Sequence, residues 1–408
     1  MEIHNGSSDF YHFLLDLAII LIFTKVFGIF SKRIRMPQVV GALVAGVVMG
    51  PAMLGFISET DFIKKLAELG VIVLMFSAGM EIDLKELKTC GKAGMLTAAF
   101  GVLVPLFGGF GIAVLFNGGL SGMDSRAFLQ NVFIGVVLTA TSVSISVETL
   151  KELGHLNSRS GTIILSAALI DDVLGIILLT VVTGMSDPTV SLWPVLLKIL
   201  LFFVFALGTG YVFYRVFERL TGEKRERRRY VLVSFSYCLI LAWIAEAWFG
   251  VADITGAFIA GLVLSNTKQV HFINRRFDIL SYMLIAPIFF ASVGLSIESV
   301  TLNWTLLALT VLLLVVAILS KILGCGLGAK IAGCSTKESV QIGTGMISRG
   351  EVALIVANKG LALGLMPALF TAPLVLVVVV TTIITPILLK LVFHGKGRQA
   401  ALMETVGS

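Results

Sequence analysis

The sequence predicts an all-α polytopic membrane protein with about thirteen transmembrane helices. Hydrophobic residues make up 57% of its 408 residues, only 14% of the residues are charged, and the mean hydropathy is +0.98. These values exclude an ordinary soluble domain. A bilayer core of about 30 Å takes roughly 20 apolar residues per helix. Apolar runs between polar breaks have their centres near residues 20, 46, 71, 104, 138, 172, 203, 239, 257, 284, 313, 347 and 380.

The loops between these runs carry their basic residues on one side. With the N-terminus outside, the inside loops hold clusters such as Lys85–Lys92 and Lys224–Arg229. The outside loops hold only Lys64, Lys65, Arg126 and Lys359. Cytoplasmic loops of membrane proteins are rich in lysine and arginine, so the N-terminus is predicted outside and the C-terminus inside. The net charge of +6 is explained by this topology, and no nucleic-acid partner is predicted.

The cysteines and histidines give no sign of a cofactor. The four cysteines are scattered without CxxC spacing, and the five histidines are scattered as well. Neither a disulfide framework nor a cysteine-based metal site is indicated. The sequence therefore predicts no enzymatic activity and no cofactor.

Two similar motifs suggest an inverted repeat. Phe76–Asp83 reads FSAGMEID, and Ala291–Glu298 reads ASVGLSIE. Seven predicted spans separate them, so the first motif lies inside and the second outside. Inverted repeats are typical of secondary transporters, whose sites lie near the midplane between the halves.

The repeat pairs the fifth span with the twelfth, and both are predicted to be broken helices. Leu138–Ser146 reads LTATSVSIS, and its hydroxyl side chains compete for backbone hydrogen bonds. Gly343–Gly350 contains three glycines in eight residues. Breaks at membrane depth are tolerated where the freed backbone lines a cavity or is buried in protein. The alternative is close packing of small residues between continuous helices.

Two adjacent carboxylates, Asp171 and Asp172, lie in the middle of the apolar run Gly161–Thr183. One carboxylate at mid-membrane costs roughly 2.5–3.5 kcal/mol even on insertion scales, so two in a row favour a site that binds a cation, carries a proton, or does both in turn. Lys321 lies inside the eleventh span and needs a partner, for which the two aspartates are the obvious candidates. Its alternative is to extend toward the inner surface.

Arg349 and Glu351 flank the predicted break in the twelfth span. Each is expected to have a structural role, either by pairing with the other or by neutralising the end of a half-helix dipole. Glu148, just after the break in the fifth span, is a candidate partner for Arg349 because the repeat places the two breaks in matching positions.

Taken together, these motifs resemble the monovalent cation:proton antiporter superfamily. The match rests on Leu138–Ser142, the aspartate pair, Lys321 and Ile347–Val352, and it extends over about residues 10–394. Within the superfamily the chain is similar to the branch that contains bacterial sodium/proton exchangers and glutathione-gated potassium-efflux systems. One departure is the second span, where Gly41–Gly46 lacks the acidic residue that the family often has. The resemblance implies a sodium/proton antiporter-like fold with two crossed broken helices.

The resemblance also implies roles for individual residues. Asp172 is expected to bind the cation and to carry the proton, while Asp171 pairs with Lys321. Thr141, Ser142 and neighbouring carbonyls complete the cation shell.

The same resemblance implies a division of the chain. Residues 1–394 form one transport domain with a dimerising scaffold at about 9–90 and 226–298, an ion-translocating core at about 92–184 and 302–394, and a short cytoplasmic tail at 395–408 without a regulatory nucleotide-binding domain. A homodimer is expected, and small residues such as Gly41, Ala45 and Gly46 suggest a face for it.

The function implied is antiport of a monovalent cation, with Na⁺ favoured, against H⁺ across the cell's inner (plasma) membrane. K⁺ and Li⁺ also take oxygen ligands and remain alternatives, as does a K⁺/H⁺ efflux system. A non-transporting receptor for an ion or ligand is the alternative from another class. A channel is disfavoured because the sequence contains no segment that resembles a filter loop. An anion carrier is disfavoured by the paired aspartates.

Overall fold

The computed structural model describes residues 6–34, 36–117, 119, 124–186, 192–221, 228–296 and 304–393 of the chain, and these residues form only helices and their connections. Most of the Lys224–Arg229 run, Glu298 and the 395–408 tail lie outside the described residues. The first eight helices are α1 (Gly6–Arg33), α2 (Gln38–Met49), α3 (Asp61–Glu81), α4 (Leu84–Phe116), α5 (Ser125–Thr139), α6 (Val143–Glu152), α7 (Arg159–Ser186) and α8 (Leu192–Thr221). The others are α9 (Arg228–Phe249), α10 (Asp253–Leu264), α11 (Val270–Leu280), α12 (Ala286–Leu295), α13 (Trp304–Ile331), α14 (Thr336–Gly345), α15 (Glu351–Ala362) and α16 (Thr371–Phe393), with a π-helical turn joining α11 to α12.

Nine described segments are long and apolar enough to cross a membrane, and three shorter apolar helices accompany them. Twelve of the thirteen expected centres fall within helices, and the one near residue 347 falls in a break. The second, ninth and twelfth expected spans fall on the shorter helices, and the third falls on α3, which has four charged residues in its first eight. The all-α membrane fold is confirmed, while the count of thirteen stays a prediction.

Helix α3 packs against α10, and α2 packs against α12, through glycines that allow the two backbones of each pair to approach closely. A side chain at Gly79 of α3 would collide with the Phe258 carbonyl of α10, and one at Gly294 of α12 would meet the Leu43 carbonyl of α2 at 2.6 Å. Gly79 and Gly294 occupy the same position in the two motifs of the expected repeat. Both motifs therefore hold a short apolar helix of the other half.

The small residues of α2 do not form a free face. Gly41 lies against the Phe27 backbone of α1, Gly46 lies against the Ala291 backbone of α12, and Ala45 is fully buried. The prediction that these residues form a dimer surface is wrong, because the chain itself covers them.

Helices α5, α7 and α13 pack against α4. Helix α13 also contacts α14 and α16, and α7 contacts α5, α6 and α14. The middle of α7 and the middle of α13 thus lie next to the interrupted segments α5–α6 and α14–α15. This arrangement brings Thr141, Asp171, Lys321 and Arg349 into one region.

Candidate functional site

Two helices are interrupted at this region, as the sequence predicts. Helix α5 ends at Thr139 and α6 begins at Val143, and α14 ends at Gly345 and α15 begins at Glu351. The residues between them, 140–142 and 346–350, are non-helical. Their backbone groups cannot use the regular helical pattern and need other partners.

The two breaks supply those partners to each other. The Ser142 amide donates to the Ser348 carbonyl at 2.8 Å, and the Ser348 hydroxyl donates to the Ser142 carbonyl at 2.7 Å. The Ser146 hydroxyl donates to the Gly345 carbonyl, the last residue of α14, at 2.6 Å. These four residues are buried, so the contacts join the two broken helices without help from water. This part of the site is a fixed frame.

Arg349 completes the frame with a buried charge. Its guanidinium is 1% exposed and donates to the carbonyls of Ile347 at 2.8 Å, Leu138 at 2.7 Å and Ala317 at 3.2 Å. Leu138 is in the last turn of α5, where the helix dipole is negative, so the cation is stabilised there. The Thr382 hydroxyl of α16 donates to the Arg349 carbonyl at 2.5 Å. Arg349 therefore ties α5, α13 and α16 to the second break.

Of the two acidic residues expected near Arg349, Glu148 is not its partner. Arg349 contacts backbone carbonyls, whereas Glu148 lies farther along α6 among Lys151, Glu152 and other charges of the helix ends. The expectation that Glu148 pairs with Arg349 is wrong, because the terminal nitrogens of the guanidinium donate to the backbone carbonyls of Ile347, Leu138 and Ala317. The buried Nε of Arg349 has no hydrogen-bond partner in the described structure. Glu351 is the first residue of α15, and its side chain lies outside the described part.

Asp171 and Lys321 form a buried ion pair, as expected. The Lys321 ammonium lies 3.3 Å from the Asp171 carboxylate, and the side chains are 0% and 3% exposed. Lys321 therefore does not extend to the membrane surface. A buried ion pair has a high desolvation cost, and losing one partner leaves an uncompensated charge. Asp171 also interacts with the Thr141 side chain at the first break.

Asp172 follows Asp171 on α7 and is half-buried. Consecutive residues of a helix point about 100° apart, so only one of the two aspartates can face Lys321 directly. Thr141 and Ser142 are buried, at 3% and 2% exposure. The Thr141 hydroxyl is 3.5 Å from the Thr139 carbonyl, and the Ser142 hydroxyl has no hydrogen-bond partner in the described structure.

Three residues donate hydrogen bonds at the breaks although the sequence did not predict a role for them individually. Ser146 and Ser348 were within predicted motifs but had no role, and Thr382 was not considered. A signal for Thr382 exists, since three threonines, Thr381, Thr382 and Thr385, lie close together in the apolar middle of α16. Hydroxyl groups repeated at mid-membrane indicate a polar neighbour.

The site thus holds carboxylate, hydroxyl and carbonyl oxygens beside one buried ammonium. Oxygen ligands of this kind suit hard cations. A buried carboxylate also gains or loses a proton when the charge of its surroundings changes. The chemistry available is therefore reversible binding of a cation or a proton.

Comparison with known proteins gives an independent result. Residues 18–394 match the family described as sodium/hydrogen exchanger, transmembrane. The Na(+)/H(+)-K(+) antiporter GerN of Bacillus cereus is 38% identical over 95% of this chain and 98% of its own. The Na(+)/H(+) antiporter of Enterococcus hirae is 36% identical over 93% of this chain and 97% of its own. The solved structure of the sodium proton antiporter MjNhaP1 from Methanocaldococcus jannaschii shares the fold, with a TM-score of 0.65 at 17% identity over 94% of this chain and 96% of that one.

Proposed function

The chain belongs to the sodium/hydrogen exchanger family, and from that premise we propose that it exchanges a monovalent cation for protons at the aspartate pair Asp171–Asp172. The observation that carries this proposal is the buried Asp171–Lys321 pair next to two joined helix breaks. Charges at this depth are costly and need a functional or structural reason. Arg349 donates to three backbone carbonyls, whereas Lys321 is paired with a carboxylate, a group that can take a proton or a cation.

Antiport follows from competition for one carboxylate. Asp172 holds either a proton or a cation, because the two neutralise the same charge. Loading one ion expels the other, and movement of the site between the two sides of the membrane couples the two fluxes. Thr141, Ser142 and the carbonyls of the first break supply the remaining oxygen ligands.

The cation is proposed to be Na⁺, with K⁺ as the second candidate. Both ions take oxygen ligands, and selection between them depends on small differences in the size of the shell. The Bacillus cereus relative is named for both ions, which keeps K⁺ in the proposal. A Li⁺ flux is expected wherever Na⁺ is accepted.

The ion pair gives the cycle its proposed stoichiometry. When a cation binds Asp172, Lys321 loses its proton and Asp171 turns from the lysine to the ion. One proton leaves Asp172 and a second leaves Lys321 for each cation that binds, so two protons move against one cation and the cycle carries net charge. The alternative is a one-for-one exchange in which Lys321 only joins α13 to α7.

The protein is proposed to work as a homodimer in the plasma membrane, with its N-terminus outside and its C-terminus in the cytoplasm. The basic residues of the expected inside loops support this orientation. Helices α1 and α9 offer the dimer surface, since both carry large exposed apolar side chains, such as Phe30 and Trp243, although lipid also covers such surfaces.

The test uses the purified protein in proteoliposomes that contain a pH-sensitive dye. A proton gradient is imposed, and Li⁺, Na⁺, K⁺ and Rb⁺ are added in turn as chloride salts. We expect Na⁺ to release the gradient at the lowest concentration. Absence of a response to all four cations, in vesicles that hold a stable gradient and folded protein, contradicts antiport.

A further inference from the structure

A second group of charges joins the two parts of the molecule that the proposed function requires to move relative to each other, the ion-translocating core and the scaffold. It begins at Lys151, near the end of α6. The Lys151 ammonium lies 2.9 Å from a Glu81 oxygen of α3 and 2.5 Å from an Asp278 oxygen of α11, and it donates to the Ser77 hydroxyl of α3 at 3.1 Å. Helix α6 directly follows the first break and belongs to the proposed core, whereas α3 and α11 belong to the proposed scaffold. One ammonium thus contacts three oxygens across the boundary.

The next residue, Glu152, makes a second contact across the same boundary. Its two carboxylate oxygens accept hydrogen bonds from the Gln38 amide at 2.7 and 2.8 Å, and the Val39 amide lies 3.5 Å from one of them. These amides open α2, whose N-cap Pro37 provides no capping side chain. A carboxylate at this position satisfies free N–H groups and the positive end of the helix dipole. A residue of one body therefore caps a helix of the other.

The acceptors of Lys151 are held in place within the scaffold. The Asn274 amide of α11 donates to a Glu81 oxygen at 3.0 Å, and the Ser77 hydroxyl donates to the Asn274 side-chain oxygen at 2.6 Å. Helices α3 and α11 thus present the acceptors as one unit. Such an oxygen-lined socket can release the ammonium and accept it again without rebuilding itself.

We propose that Lys151 and Glu152 form an ionic latch that holds the translocating core against the scaffold in the conformation described here. The latch opens before the core moves and closes when the core returns. This inference rests on the proposed function, because alternating access is what requires two bodies to move. The latch lies at the end of α6, so the helix that directly follows Thr141 and Ser142 in the chain is the one that is held.

Exposure of the latch fits a contact that must open repeatedly. The side chains of Lys151, Glu81 and Asp278 are 25%, 18% and 40% exposed, in contrast to the fully buried Lys321. Water reaches these charges as they separate, so each contact is weak. Several weak contacts together bias the equilibrium between two arrangements without locking it.

The experiment measures distances between spin labels in lipid nanodiscs at constant pH. Cysteines replace Asn157, next to the end of α6, and His271 of α11, both of which are exposed. The four native cysteines are buried and are replaced by serine or alanine if they react. We compare Lys151→Met with Lys151→Arg, which keeps the charge, and with the unsubstituted pair of labels.

Arg159→Met is the matched control. Arg159 forms an ion pair with Glu338 at 3.4 Å, but this pair joins α7 to α14, two helices of the core. We expect Lys151→Met to raise the population of a longer distance by about tenfold, as the loss of a charged hydrogen-bonding group entails. Lys151→Arg and Arg159→Met are expected to keep the wild-type distribution. An unchanged distribution in Lys151→Met, or an equal change in Arg159→Met, overturns the latch.

Choline chloride provides the same test without a substitution. Raising its concentration screens exposed charges, so the population of the longer distance should grow in the wild type and grow less in Lys151→Met, where only the Glu152 contact of the latch remains. If it does not grow in the wild type, the latch is wrong. The dye assay on the same labelled protein separates this result from the proposed function. If the protein exchanges ions but the distance distribution does not respond, antiport stands and the latch is wrong. If the distance distribution responds as predicted but no exchange is detected, the latch stands and antiport is wrong.

Discussion

Arg349 and Lys321 are both buried cations, but their surroundings differ. Arg349 is 1% exposed and donates to three backbone carbonyls, which do not titrate in the physiological range. Lys321 is 0% exposed and faces the Asp171 carboxylate, which does titrate. Arginine keeps its charge in proteins, while a buried lysine changes its protonation readily.

This difference separates architecture from chemistry within one site. The arginine stabilises the ends of broken helices, so its charge must stay constant. The lysine balances a carboxylate whose charge is expected to change during the cycle. A buried charge therefore indicates function when its partner can change protonation, and structure when its partner is a fixed dipole. The following substitutions test that distinction, beginning with the largest expected effect.

Arg349→Met should remove most of the folded protein. The carbonyls of Ile347 and Leu138, at the two breaks, lose their side-chain donor. Each unsatisfied buried group costs about 1–3 kcal/mol. Thermal unfolding in detergent, followed by the monodisperse fraction on size exclusion, measures the loss. Arg215→Met is the control, because Arg215 lies on an exposed helix surface, where it donates to the Tyr211 hydroxyl. A stable Arg349→Met protein with normal exchange contradicts the structural role.

Lys321→Met should change charge movement, and it also leaves the buried Asp171 carboxylate without its partner. The wild-type exchange is expected to respond to a membrane potential set by a thiocyanate gradient, since one net charge per cycle is worth about 2.3 kcal/mol per 100 mV. Any exchange that Lys321→Met retains should ignore that potential. The comparison uses the equilibrium cation gradient at fixed pH difference. If the wild-type gradient already ignores the potential, the two-proton cycle is wrong and Lys321 resembles Arg349.

Thr141→Val should weaken cation binding with a smaller effect on maximal rate. The substitution keeps the shape but removes an oxygen ligand, so the KM for Na⁺ should rise about threefold to tenfold, the cost of one neutral hydrogen bond. Thr139→Val is the control, since the Thr139 hydroxyl donates to the Val136 carbonyl of its own helix at 2.8 Å. Equal KM values for Thr141→Val and the wild type assign Thr141 to packing.

Ser335→Ala should have the smallest effect and should act on stability alone. Ser335 starts α14 with a capping box, in which its hydroxyl accepts from the Glu338 amide at 3.2 Å and the Glu338 carboxylate accepts from the Ser335 amide at 2.7 Å. Loss of such a cap costs about 1 kcal/mol. The thermal midpoint should fall slightly, and the KM for Na⁺ should stay constant. A changed KM shows that the cap affects the site.

Much of the fold could be predicted because membrane depth makes charges and helix breaks conspicuous. Asp171, Asp172 and Lys321 contrast sharply with their apolar surroundings, so a pair between Lys321 and one of the two aspartates was accessible from charge balance. The choice of Asp171 came from the family resemblance, and the structure has this pair. The hydroxyl-rich and glycine-rich segments identified both breaks for the same reason. These features are local in sequence and strongly penalised unless they have a partner.

Features that depend on which faces meet could not be predicted. Glu148 and Arg349 lie beside matching breaks, yet the arginine uses carbonyls, whose availability depends on the crossing geometry. Gly41 and Gly46 were assigned to a surface between protomers, but α1 and α12 cover them. The contacts of Lys151 with α3 and α11 have a sequence separation of at least 70 residues and left no local signal.

The most direct test of the central claim is cation-dependent proton flux in proteoliposomes containing Asp172→Asn. Asparagine keeps the size of the side chain but cannot exchange a proton for a cation. Asp61→Asn, at the exposed start of α3, is the matched control. We predict that Asp172→Asn folds with a normal thermal midpoint and shows no Na⁺-dependent release of the proton gradient. The Asp61→Asn control should match the wild type in both measurements. Retained exchange in a folded Asp172→Asn protein contradicts competition at a single carboxylate.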